Sequence, residues 1–293
     1  MDEAKSQASV LDPYVVVLVG CGKMGTALAT RWVKSGAISG EQLVCLDTNE
    51  ERAEELALSL NAWLEVPPKS GDDDEQMRLY VIAVKPAGVR SVLEAYRETF
   101  TDRDTVISIA AGVSVATLRE AAGPLPGITR AMPNTPALVG AGVTGLMGDG
   151  TVDMAAITAL FEAVGKVVRL RREEDFHPLT AISGSGPAYF FTAIEALADG
   201  GVLMGLDRGT AVELATSVLE GAARLVQEHG GQHTAELKDQ VASPGGTTIA
   251  ALAALEESRF RHALISAVKA AAQRSRELSA EESTRKLDGE GPI

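Results

Sequence analysis

The residue types and spacings best suited to chemistry fall in a few short segments of this 293-residue chain. The first is Val19-Gly20-Cys21-Gly22-Lys23-Met24-Gly25, which has the spacing G-x-G-x-x-G between an apolar run and an amphipathic one. Gly20 permits a tight turn, Gly22 lets backbone approach a pyrophosphate, and Gly25 lets a helix pack on a strand. The helix that opens at Lys23 and Met24 then offers unpaired N–H groups and a positive dipole end to that pyrophosphate. Asp47 follows Gly25 by 22 residues, the interval expected of an acid on the adenosine ribose. Glycines also mark ordinary turns, and that structural role is the alternative reading of the motif.

Asp47 bears on which dinucleotide binds. A carboxylate accepts hydrogen bonds from free ribose hydroxyls and repels a 2′-phosphate, and no arginine follows in Thr48-Asn49-Glu50. NADH is therefore expected to be accepted. In a competing arrangement Asp47 swings out and Thr48, Asn49 and Ser70 hydrogen-bond the phosphate, so that both cofactors work.

Four further segments carry polar groups on stiff backbone. Ala83-Val84-Lys85-Pro86 ends a strand with a positive charge and a strand-stopping proline. Met132-Pro133-Asn134-Thr135-Pro136-Ala137 sets two prolines around Asn134 and Thr135, a rigid loop able to hold those side chains. Ser183-Gly184-Ser185-Gly186-Pro187-Ala188-Tyr189 opens the second half of the chain, and Ser243-Pro244-Gly245-Gly246-Thr247-Thr248 sits deep within it. A glycine-rich turn feeding a helix, as in the last, can form a backbone nest for a carboxylate or phosphate. Taken singly, each segment could be no more than a capped turn.

The elements that position these segments are of two kinds. Up to about Leu170, seven short runs rich in β-branched residues alternate with amphipathic segments. They are Val15–Val19, Leu43–Leu46, Leu79–Val84, Thr105–Ile109, Gly127–Arg130, Val143–Met147 and Lys166–Leu170. Such alternation predicts βαβ units and a largely parallel sheet. Stripes such as Met24, Leu28 and Trp32, or Ala53, Leu56, Ala57 and Leu60, have the spacing of one helix face and can cover it. After His177 the pattern becomes helix after helix: Tyr189 to Leu206, a second capped by Asp207, a short one from Thr234, another capped by Thr247 or Thr248, and Phe260 to Leu278. The expected division is residues 1–177 as a Rossmann-type dinucleotide-binding domain and 178–293 as an all-helical dimerisation and substrate domain, with 279–293 a disordered tail.

Composition excludes several partners. The formal net charge of −13 repels bare DNA and anionic membrane surfaces, and an aromatic share of 4% is a poor stacking platform for bases. Apolar stretches are interrupted well short of the roughly 20 residues that span a bilayer. Cys21 and Cys45 form neither a disulfide framework nor a metal-ligand spacing, so no metal is expected. The segment from Met1 to Asp12 lacks the pattern of a secretory signal, and a reduced, cytoplasmic setting is expected.

Gly-Cys-Gly-Lys-Met-Gly, Ala-Val-Lys-Pro, Met-Pro-Asn-Thr-Pro-Ala, Ser-Gly-Ser-Gly-Pro-Ala-Tyr and Ser-Pro-Gly-Gly-Thr-Thr, in that order, closely resemble the pyrroline-5-carboxylate reductase family from about Val15 to Leu278. The resemblance implies NADPH- or NADH-dependent reduction of a cyclic imine to L-proline, the last step of proline biosynthesis. It also implies a homodimer whose active sites borrow residues across the interface, with further assembly into rings of dimers in family members. Carried over, Gly20 to Gly25 hold the pyrophosphate, and Val84, Lys85, Pro86, Ala110 and Ala111 line the cofactor cleft. Ser243, Gly245, Gly246 and Thr247 bind the substrate carboxylate, and Thr248 reaches the ring nitrogen as the catalytic side chain. Many relatives carry a small polar or basic pair at the second strand and prefer NADPH; Asp47 departs from them.

A protonated imine is already electrophilic, so its reduction needs placement more than strong acid catalysis. His177, His229, His233 and His262 lie beside proline or on polar helix ends, and none is read as catalytic. Two rivals remain at this level: a β-hydroxyacid dehydrogenase, for which Lys238 would have to serve as the catalytic lysine, and a non-catalytic dinucleotide sensor.

Overall fold

The computed structural model describes residues 10–66 and 77–285, with side chains as far as residue 281. The chain divides into two compact units. One runs through Gly184 and also takes in the last helix from Ala271 onward; the other is Ser185–Ala270.

The first unit is built on a seven-stranded sheet. Its first strand, β1 (Tyr14–Val19), is buried along its whole length, a valine-rich run suited to a pleated surface. Alternation sends Val16 and Leu18 into one core with Leu28, Trp32, Leu43 and Leu56, and Val15, Val17 and Val19 into another with Tyr80, Val89, Leu93 and Leu118. Around it lie β2 (Leu43–Leu46), β3 (Met77–Ile82), β4 (Asp104–Ser108), β5 (Gly127–Met132), β6 (Gly142–Gly148) and β7 (Gly165–Arg169), in the order β2-β1-β3-β4-β5-β6-β7. All pairings are parallel except β5 with β6. The seven expected runs are thus the seven strands, and the sheet is largely parallel as expected.

Helices α1 (Lys23–Lys34), α2 (Glu50–Leu60), α3 (Pro86–Tyr96), α4 (Val115–Ala122) and α5 (Met154–Glu162) cover the sheet. Their starts follow local chemistry: Asn49, Ser114 and Asp153 accept backbone N–H bonds as caps, and Pro86 occupies a first-turn position where no intrahelical N–H is needed. The expected apolar stripes face inward, with Leu28, Trp32 and Leu93 fully buried.

Register decides where the loops emerge. Val19 pairs with Leu46 on one side and Ile82 on the other, and Ile82 pairs with Ser108. The chain therefore leaves four neighbouring strands at one edge, through Gly20, Asp47, Ala83 and Ile109. Between β1 and β3 the strand order reverses, which is where ligands bind in open α/β sheets.

The second unit is helical: α6 (Gly186–Leu203), α7 (Arg208–Glu228), α8 (Thr234–Gln240), α9 (Thr247–Glu257) and the first part of α10 (Phe260–Arg285). Asp207 caps α7 as expected, accepting from the Thr210 amide at 3.0 Å. In α6 and α7 the buried residues are small, Gly186, Ala198, Ala211 and Ala215. Large apolar side chains instead point outward, among them Phe190, Phe191, Leu203, Met204, Val218 and Leu225.

Two expectations need correction here. The tail from Ser279 was expected to be disordered, yet α10 continues through Arg285. The charges that suggest disorder are paired instead: Glu281 bonds Arg274 two turns back, which also pairs with Glu277. Residues 286–293 lie outside the described residues. Nor does Thr247 or Thr248 cap α9: Gly246 holds the cap position, in extended backbone and with no side-chain cap bond, so both threonines sit in the first helical turn.

Exposed apolar side chains grouped on helices mark an interaction surface. Light scattering at micromolar concentration should give at least a dimeric mass; a monomer mass with full activity would contradict it.

Candidate functional site

The glycine loop is shaped by close contacts. Gly20 has φ +108°, and a Cβ there would lie 2.8 Å from the Ala83 carbonyl carbon. A Cβ on Gly25 would collide with the Gly20 carbonyl oxygen. At Gly22, by contrast, a Cβ would meet nothing within 4 Å: the backbone there faces open space. Two glycines are thus required by packing, and the third keeps clear a surface that a ligand can approach. This is the fit a dinucleotide pyrophosphate needs.

Gly22 caps α1 without a side chain, and the first turn, with Lys23 exposed and Met24 half-buried, holds no acid. Its N–H groups and dipole are left to an anion. Cys21 turns inward: its thiol is buried and lies 3.6 Å from the Leu46 carbonyl. A hydrogen bond donated to Cys21, then burial, pushes the Cys45 thiol up. Both cysteines are free, and among the described residues no cluster could hold a metal ion.

Asp47 leaves β2 beside this loop. Its Oδ2 accepts from the Cys21 amide at 2.7 Å and its Oδ1 from the Asn49 amide at 2.9 Å, with Arg52 Nη1 3.7 Å from Oδ2. Beyond it opens a cleft of about 580 Å³, lined by Leu46, Thr48, Leu64, Val92, Ala95 and Tyr96 among others. Asp47 and the apolar side chains of a cleft that also carries Glu50, Glu54 and Glu65 are features suited to a ribose and a flat heterocycle. Ser70 lies outside the described residues.

Val84, Lys85 and Pro86 follow β3 directly, with Lys85 exposed at the cap position of α3 and Pro86 opening the helix. Ala110 is buried and Ala111 exposed in the loop after β4, whose conformation turns on Gly112 at φ +82°. These residues stand at the same sheet edge as Gly20 and Asp47, as the strand register requires.

Asn134 proves to be a staple. It is buried, its Oδ1 accepts from the Val143 amide at 2.8 Å, and its Nδ2 donates to the Ser183 carbonyl at 2.8 Å. The proline-flanked loop thereby ties the β5–β6 connection to the π-helical turn Thr180–Gly184.

One supporting arrangement was not visible in the sequence. Arg130 on β5 is buried, bonds Glu173 at 2.9 Å and lies 4.2 Å over the Phe176 ring. The same Glu173 oxygen accepts from the Val115 amide at 2.8 Å, the first residue of α4. This pair holds the helix that follows the Ala110–Ala111 loop. Burial pulls the Arg130 pKa down, while Glu173 counteracts it. Beside it, His177 bonds Ser275 at 2.9 Å; burial and the nearby Arg130 and Arg276 lower its pKa.

In the second unit, Ser243, Pro244, Gly245 and Gly246 form a turn in which the Gly246 amide donates to the Ser243 carbonyl at 3.1 Å and Gly245 has φ +68°. The turn runs straight into α9, whose first turn again carries no acid. Ser243 and Thr247 are exposed and Thr248 is half-buried. Free amides and two adjacent hydroxyls in one helical turn suit a carboxylate next to a second polar atom.

Comparison with known proteins gives two family matches. Residues 173–278 match the pyrroline-5-carboxylate reductase dimerisation family, and residues 15–112 match the family described as NADP oxidoreductase, coenzyme F420-dependent. The pyrroline-5-carboxylate reductase of Pisum sativum is 40% identical over 271 residues, 92% of this chain and 97% of its own. That of Synechocystis is 40% identical over 264 residues, covering 89% and 97%. The structure of the Coxiella burnetii enzyme superposes with a TM-score of 0.81 at 31% identity, over 90% of this chain and 98% of that one.

Two predictions separate packing from ligand approach. Gly22→Ala, at φ −72°, should melt with the parent or slightly above it while dinucleotide binding, followed by fluorescence, weakens. Gly25→Ala should lower the melting temperature, with a packing cost of at least about 1–3 kcal/mol. Asn134→Ala strands an amide and a carbonyl at about 1–3 kcal/mol each, read as a lower urea midpoint at unchanged slope.

Proposed function

The chain belongs to the pyrroline-5-carboxylate reductase family, reducing the cyclic imine pyrroline-5-carboxylate to L-proline with NAD(P)H, and on that premise we propose how its residues divide the work. The observation that carries the assignment of roles is the pair of acid-free helix starts, one after a glycine loop and one after the Ser243–Gly246 turn.

Gly20, Cys21, Gly22, Lys23, Met24 and Gly25 form the loop that holds the pyrophosphate, with the N–H groups at the start of α1 facing it while the Gly20 and Cys21 amides are taken by the Leu46 carbonyl and Asp47. Asp47 receives the adenosine ribose, and Val84, Lys85, Pro86, Ala110 and Ala111 line the cleft toward the nicotinamide. The reduced nicotinamide, when bound, supplies the hydride that adds to the C=N carbon. The Ser243 hydroxyl and the amides of Gly245 and Thr247 grip the substrate carboxylate, in a turn that the Gly246 amide closes on the Ser243 carbonyl. Fixed there, the imine can present one face only, and orientation of this kind supplies a large part of a barrier's reduction. The Thr248 hydroxyl hydrogen-bonds the ring nitrogen, orienting the iminium and then the product amine. The iminium arrives with its proton, so the proton count closes without a dedicated acid, in keeping with histidines engaged elsewhere: His229 on the Leu225 carbonyl and His233 capping α8.

Residues 178–293 act as the dimerisation and substrate segment, with each active site completed across a homodimer, and dimers assembling further into rings. The outward apolar side chains of α6 and α7 support such an interface. We place the enzyme in the cytoplasm, where its two buried free thiols suit a reducing medium; no described helix is long and apolar enough to cross a membrane. The β-hydroxyacid dehydrogenase reading gains no support, because Lys238 lies on the short α8 with its ammonium 3.5 Å from Asp239. A sensor would have no use for the second anion-binding turn.

Thr248→Ala should lower turnover about ten- to a hundredfold, the worth of one hydrogen bond to a charged group, while NADH affinity changes little. Thr248→Ser should keep most of the activity. Steady-state kinetics with pyrroline-5-carboxylate checks this, and an alanine variant as fast as the parent removes Thr248 from the mechanism.

A further inference from the structure

Asp47 is fixed more firmly than a ribose acceptor needs to be. Its two oxygens are anchored on backbone amides from separate segments, Cys21 in the glycine loop at 2.7 Å and Asn49 in the turn into α2 at 2.9 Å. Its side chain is only 11% exposed. Swinging it aside would strip both amides of their acceptor, a cost comparable to losing two charge-assisted hydrogen bonds. The carboxylate is therefore a permanent wall of the cleft.

The surroundings reinforce its sign. Glu50, Glu54 and Glu65 also line the cleft, and among its described lining residues there is no lysine or arginine. The nearby cation, Arg52, is half-exposed on α2 and already lies 3.7 Å from Asp47 Oδ2. A free 2′-hydroxyl placed here donates into a carboxylate that has a lone pair to spare. A 2′-phosphate brings about two negative charges against four carboxylates.

We infer that this chain selects NADH over NADPH, and that Asp47 is the residue that excludes the 2′-phosphate. The inference rests on the reading that the cofactor binds at Gly20–Gly25 with its ribose beside Asp47. Repulsion in a cleft open to water is moderate, so the expected discrimination is about tenfold or more in Kd, equivalent to about 1.4 kcal/mol.

Calorimetric titration of the full-length protein with NADH and NADPH tests it, alongside AMP and adenosine 2′,5′-bisphosphate, which isolate the ribose end. NADH and AMP should bind about tenfold or more tighter than their 2′-phosphorylated counterparts, and the gap should shrink as salt is raised, since it is electrostatic. Asp47→Ser should narrow the gap by gaining affinity for the phosphorylated ligands. Because Asp47 also clamps the glycine loop, Asp47→Asn serves as a second variant that keeps the shape and one of the two amide acceptors while removing the charge, and it should narrow the gap as well. Equal or tighter binding of the phosphorylated ligands by the parent overturns the inference, as does a gap that both variants leave unchanged. Failure of all four ligands to bind would instead overturn the placement of the cofactor itself.

Discussion

Three stretches of backbone meet at the end of β1, and that contact governs the rest of the first unit. Gly20 lies against Ala83 and Val84, and Gly25 lies against Gly20, each too close for a side chain. Because α1 must begin within a turn of the strand it follows, its N–H groups point along the sheet edge. Because β3 comes so near Gly20, its continuation through Val84 and Lys85 faces the same space. Asp47 completes the arrangement by bonding the Cys21 amide, which locks the neighbouring strand's exit to the loop. Close packing of this sort carries little tolerance for added volume.

Charge acts locally against a contrary background. The chain carries a formal −13, yet the first turns of α1 and α9 contain no acid. Backbone dipoles fall off within about a turn, and the Debye length at physiological salt is about 8 Å, so remote carboxylates scarcely reach these starts. An acidic protein can therefore hold an anionic cofactor and an anionic substrate, provided its own acids stay out of those turns.

Much of the fold was legible because periodicity reports burial directly. The Val15–Val19 run, the Leu28 and Trp32 stripe and the Asp207 cap all appear where the pattern places them. The antiparallel pairing of β5 with β6 was not legible, since a strand's alternation is the same in either direction. The start of α9 was misjudged because threonine is a common cap, while here Gly246 takes that place and frees both hydroxyls. Arg130 and Glu173 were missed for another reason. A lone arginine in a strand and an acid in a charged run each look solvated, and only the fold brings them within 2.9 Å. The misreading of the segment after Ser279 has the same root: composition records charges, and pairing depends on geometry.

The first unit is discontinuous along the chain, and that has a consequence for biosynthesis. His177 finds its partner at Ser275, 98 residues on, and the loop at Gly112 packs near Ser279. A ribosome delivers the strands and the glycine loop long before it delivers these last contacts. These contacts therefore wait until the whole helical unit has emerged, and closing so long a loop adds a modest entropic cost at the end. Completion of the first unit is thereby tied to translation of the final helix, so a chain cut short before Ser275 would carry every glycine of the Gly20–Gly25 loop and still lack part of its own unit.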